Sequence, residues 1–126
     1  MLTWQSLSNL KANIIRNLSD DFLSKEWLAR KKSEPSCHKT FGHCYLATEV
    51  AYHLLGGKKQ GWKPMYLKCE DGSHWFLKHS TGRIFDVTSG QFEGEEILYQ
   101  NAIGKGFLTR EPSQRAQKLM AKISKN

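Results

Sequence analysis

Cys44, His74 and Asp86 are the residues whose types and order in the chain could do chemistry together. Cys44 follows Gly42 and His43 at what reads as the start of a helix, where unpaired backbone N–H groups and the helix dipole favour an anion. Such a position favours thiolate over thiol. A cysteine nucleophile needs this, because a free thiol with a pKa of about 8.5 is mostly protonated at neutral pH. The same N–H groups suit a developing oxyanion. His74 is then the natural base, with Asp86 placed to orient it and stabilise its charged form. Taken singly, each residue has an ordinary structural reading. A helix cysteine packs as a small hydrophobe, a strand histidine sits at the surface, and an aspartate before a turn caps a backbone group. The joint placement is what points to a nucleophile, a base and an orienting carboxylate.

The elements that must position them can be read from periodicity. His43 to Leu55 is helical in pattern and is closed by Gly56 and Gly57, with an apolar face of Leu46 or Ala47, Val50, Ala51, Leu54 and Leu55. From Trp62 the period becomes two: Met65, Leu67 and Cys69 alternate with Tyr66, Lys68 and Glu70, which predicts a strand ending at an Asp71-Gly72 turn. His74 to His79 and Arg83 to Thr88 predict two further strands around Ser80, Thr81 and Gly82, a three-residue loop with glycine last, as a type I turn with a bulge requires. In that register His79 faces Arg83 and Phe76 faces Asp86. His74 and Asp86 then lie on one sheet face as diagonal neighbours, roughly 7 to 8 Å apart.

Trp4, Leu7, Leu10, Ile14 and Leu18 predict an amphipathic helix over Thr3 to Leu18. Ser19, Asp20 and Asp21 then start a second one, which carries Phe22, Leu23, Trp27 and Leu28 inward, ends at Arg30 to Lys32 and is broken by Ser33 to Ser36. Gln91 to Leu108 has no clear period, and Glu95 to Tyr99 fits a short helix or a strand equally. Ala116, Leu119, Met120 and Ile123 place a last helix over Pro112 to Ile123. The 126 residues suit one hydrophobic core, hence a single α+β domain over 1–126.

Composition excludes some function classes. Apolar residues at 39% and charged residues at 25% lie in the globular range. Met1 to Leu10 lacks the basic start and apolar run of a signal peptide, and no run approaches the roughly 18 apolar residues of a spanning helix. Three cysteines without framework spacing argue for free thiols in a reducing compartment, so the expected location is cytoplasmic. A net charge of +7 suits an acidic partner, but the lysines and arginines form no recognisable nucleic-acid-binding motif. Cys37, His38, His43 and Cys44 are spaced poorly for zinc, because structural sites use two-residue knuckles separated by a longer loop. No metal or cofactor is expected.

The stretches GHCYLATEVAYHLLGG and GSHWFLKHSTGRIFDVTSGQF resemble the YunG-like family of bacterial and phage proteins, in which a G-x-C helix precedes S-H and then D-x-T-x-x-Q-F. The resemblance runs from about Phe41 to Phe92 and rests on Gly42, Cys44, Ser73, His74, Asp86, Thr88, Gln91 and Phe92. That family is in turn similar to papain-like and transglutaminase-like cysteine enzymes. The resemblance implies a papain-like fold, with N-terminal helices and a central cysteine-bearing helix packed on a small antiparallel sheet. It also implies a cysteine-dependent hydrolase or acyltransferase acting on an amide or peptide bond. His38, His43, Tyr45 and Trp75 are the expected oxyanion and substrate-binding residues; His38, Thr40 or His43 would stand where papain-like enzymes usually have a glutamine. The expected partner is a protein or peptide substrate, acidic in character, with no membrane involved. The alternative is a non-catalytic binding protein on the same scaffold that recognises an acidic protein, a nucleotide or a nucleic acid, with Trp62, Tyr66 and Trp75 among basic residues.

Overall fold

The computed structural model describes residues 4–19, 29, 43–69, 72–89, 97–107 and 111–124. In them the chain is α+β. Helices α1 (Trp4–Asn17), α2 (Cys44–Leu54) and α3 (Gln114–Ser124) accompany strands β1 (Trp62–Cys69), β2 (Gly72–His79), β3 (Ile84–Phe85) and β4 (Ile103–Gly104). The strands form one antiparallel sheet in the order β3-β2-β1-β4. The expected second helix, from Phe22 to Lys32, lies outside the described residues, as do Cys37, His38 and Thr40.

Alternation along β1 and β2 divides the core in two. Trp62 and Leu77 join Phe85, Val87 and the buried faces of the helices, including Leu7, Ile14, Val50, Ala51 and Leu119. Met65, Leu67 and Phe76 form a second cluster, covered by Ile84, Ile97, Tyr99 and Ala102. Strand period two explains the split, since Met65 pairs with Phe76 and Leu67 with His74, one residue out of step with Pro64 and Leu77.

Leu77 pairs with Phe85 and Lys78 with Ile84, the register anticipated from the Ser80-Thr81-Gly82 loop. The His79 N–H donates to the Arg83 carbonyl at 2.7 Å, and Gly82 takes φ of 95°, a conformation that a side chain would strain. Several expectations are corrected. β3 stops at Phe85 instead of running to Thr88, because the Asp86 carboxylate accepts the Thr88 N–H and turns the chain out of the ladder. Gly72 belongs to β2, paired with Cys69. Leu54 is exposed, while Thr48 and Glu49 are buried. Tyr99–Asn101 is a short 3-10 turn that leads into β4, two elements from a stretch without a readable period.

Glu49 is buried for a reason that lies far along the chain. Its carboxylate accepts the Ser113 N–H at 2.8 Å and the Ser113 hydroxyl at 3.0 Å, while Ser113 Oγ caps α3 by accepting the Ala116 N–H. Among the described residues, no helix is long and apolar enough to cross a membrane.

Candidate active site

Cys44 is the first residue of α2. The first intrahelical hydrogen bond runs from the Ala47 N–H to the His43 carbonyl, so the N–H groups of the turn before it point out of the helix end beside the thiol. Two contacts fix this end of the helix to β2. Cys44 Sγ donates to the Ser73 carbonyl at 3.5 Å, and the Thr48 hydroxyl, one turn later, donates to the Trp75 carbonyl at 3.0 Å. His74 lies between those two carbonyls.

The structure brings Cys44, His74 and Asp86 together. His74 Nε2 lies 2.6 Å from Asp86 Oδ2, and the Cys44 side chain is near enough to help hold a proton on the imidazole. His74 is completely buried, whereas Cys44 retains 9% of its surface, so a molecule arriving from solvent meets the sulfur before the ring.

Burial is the largest single influence on His74 and opposes its charge. The interactions with Asp86, and after it with Cys44, outweigh it and raise the pKa from 6.5 to about 9. The cationic imidazolium is therefore the favoured form at neutral pH. A thiol, an imidazole and a carboxylate in series can hold a thiolate–imidazolium pair, with Asp86 balancing the ring's charge.

Asp86 is itself tightly held. Besides His74, it accepts the Thr88 N–H on Oδ1 at 3.2 Å and the Tyr99 hydroxyl on Oδ2 at 2.8 Å. Tyr99 packs edge-on against Phe76, whose ring stacks on His74, and its hydroxyl pKa is raised by burial and then by the adjacent carboxylate. This tyrosine had no signal in hydrophobic periodicity. The available hint was chemical: a tyrosine beside Ile97 in a covering segment needs a partner for its hydroxyl. A cavity of about 330 Å³, lined by Lys11, Ser89, Asp86 and Tyr99 among others, reaches the carboxylate from the α1 side.

The expected substrate-binding residues are dispersed. His43 is buried at the helix entry and makes no side-chain cap hydrogen bond. Tyr45 is half-buried, with its ring edge-on to Trp75 at 4.9 Å and to Phe107 at 5.5 Å. Trp75 is buried and, as the strand neighbour of His74, faces the opposite side of the sheet, where it meets Tyr45, Tyr66 and Phe107. It walls the helix side of the sheet and does not adjoin the imidazole face. His38 lies outside the described residues. Among the described residues, no group of three or more His, Cys, Asp or Glu side chains is arranged to hold a metal ion. Compared with protein-family models, curated proteins and solved structures, the chain matches none.

Proposed function

We propose that the protein is a papain-like, cysteine-dependent hydrolase or acyltransferase that acts on an amide bond, in line with its resemblance to the YunG-like family. The observation that carries this reading is the buried series from Cys44 through His74 to Asp86, with 2.6 Å between imidazole and carboxylate. A histidine that merely filled the core would not need a buried carboxylate on Nε2 and a thiol close by.

In this reading the proton of Cys44 already rests on His74 before substrate arrives, and the thiolate of that pair attacks the carbonyl carbon. A C–S bond forms and the carbonyl π pair moves onto oxygen, which the N–H groups at the start of α2 stabilise. The oxyanion collapses, the C–N bond breaks, and the departing amine takes the proton from His74 to leave a thioester. Water or an acceptor amine then attacks the thioester while giving a proton to His74. The C–S bond breaks and the thiolate is restored. Asp86 holds the ring in one orientation and balances its charge throughout. The net charge of +7 favours an acidic protein or peptide as the substrate.

The test is alkylation by iodoacetamide across a pH series, with the modified cysteine located by mass spectrometry, on the wild type and on His74→Ala. Modification of Cys44 near neutral pH, at least ten-fold faster than at Cys37 and Cys69 and slowed at least ten-fold by His74→Ala, is the expected result. Equal labelling of all three cysteines, indifferent to the histidine, would sink the reading.

A further inference from the structure

A cleft of about 800 Å³ opens away from the triad, at the other end of the β1–β2 ladder, lined by Trp62, Pro64, Met65 and three lysines, Lys58, Lys63 and Lys78, with Ser80, Thr81 and Gly82 at the hairpin tip. Lys63 and Lys78 are directly opposite each other in the ladder. Like charges at facing positions are destabilising, and the Lys63 side chain runs over Gly104 of β4, away from Lys78. Among the described residues no acidic side chain lines the cleft, and none of the three amines has a carboxylate partner.

The walls are pre-formed. His79 Nε2 donates to the Gln60 carbonyl at 2.8 Å, and its Nδ1 accepts the Thr81 N–H at 3.2 Å, which fixes the tautomer and ties the hairpin tip to the turn before β1. The Ser80 N–H adds a second tie, to the Gly61 carbonyl at 2.9 Å. The cleft wraps the edge of β1 ahead of its pairing with β4, so Trp62 walls it from the helix face and Met65 from the other; both are buried, and Trp62 is edge-on to His79.

Three amines around one opening exceed what a single carboxylate would neutralise. They are point charges on flexible stems, not the planar fork that reads a carboxylate in two places, and hydroxyls stand beside them. A group with two or more negative charges and several acceptor oxygens fits this set. The volume lies in the range of small-molecule sites, roughly 300 to 1,000 Å³. We propose that the cleft binds a phosphorylated small organic molecule, its phosphates among Lys58, Lys63 and Lys78 and its apolar body against Trp62, Pro64 and Met65. Along β2 the site is four residues from His74, roughly 13 Å at ~3.3 Å per residue, and does not depend on the triad being active.

The probes are ADP and inorganic pyrophosphate, followed by calorimetry and by backbone amide shifts on the full chain at low and at physiological salt. Saturable ADP binding is expected, with shifts centred on Gly61, Thr81 and Gly82 and an affinity at least ten-fold above that of pyrophosphate. Lys78→Glu should weaken ADP at least ten-fold. The same change turns the Lys63 pairing attractive, so its melting temperature should stay level or rise, which separates lost binding from lost folding. Equal affinity for the two probes would overturn the organic part of the proposal. Absence of saturation at millimolar concentration, or a Lys78→Glu effect under two-fold, would overturn the site.

Discussion

The two ends of the β1–β2 ladder treat charge in opposite ways. At the Leu67–His74 end a completely buried imidazole is paired within the fold by Asp86, and the carboxylate is satisfied in turn by Tyr99 and Thr88. At the Lys63–Lys78 end two exposed lysines hold facing positions, with no carboxylate partner among the described residues. Burial explains the contrast. A charge removed from water must find its partner inside the chain, whereas an exposed one can wait for a partner from solution. The inner end thus carries its charge partner within the fold, and the outer end does not.

The comparison is broken most severely at Asp86. Asp86→Ala leaves the His74 imidazolium buried without its anion and should cost about 3 to 5 kcal/mol in denaturant unfolding, besides lowering Cys44 alkylation at neutral pH. A loss under about 1 kcal/mol would show that the inner end is not held by charge. Tyr99→Phe removes one hydrogen bond to the same carboxylate and should cost about 1.5 to 3 kcal/mol, with a shift in the His74 titration followed by ring-proton NMR. A purely structural tyrosine would change stability and leave that titration where it was.

The pH profile sharpens the contrast. His74 has a folded pKa of about 9, above its unfolded value of 6.5. Its contribution to stability is therefore fully present below pH 6.5 and is lost as pH rises through about 9. Melting temperatures from pH 6 to 10 should fall across that window in the wild type and much less in His74→Gln. The smallest effect belongs to the outer end. Lys63→Ala and Lys78→Ala should each change stability by within about 0.5 kcal/mol, measured without added anion, and any change should be toward greater stability.

Residues close in sequence were the legible ones. The Ser80-Thr81-Gly82 loop carried the hairpin register and with it the shared face of His74 and Asp86, because loop length and glycine position constrain a hairpin locally. The Gly56-Gly57 pair marked the end of α2 for the same reason. Tyr99, β4 and the burial of Glu49 could not be read. β4 is two residues long and has no period to detect, and Glu49 is paid for by Ser113, whose contact no local pattern encodes. The length of β3 was misjudged because Asp86 serves the imidazole and the Thr88 N–H at once, and the second role ends the strand. The substrate-binding residues were the weakest inference, since adjacent strand positions such as His74 and Trp75 must face opposite ways.

The Glu49–Ser113 contact also bears on when the thiol becomes useful. Glu49 stands five positions after Cys44 on the same helix, and its carboxylate gains both hydrogen bonds only when α3 is docked. During synthesis the N-terminal part of a chain is exposed first, so α2 emerges well before the residue that satisfies it. Until Ser113 arrives, a bare carboxylate opposes burial of the nucleophile's helix. Undocking of α3 would therefore leave, on the helix that carries Cys44, a buried carboxylate stripped of both these hydrogen bonds.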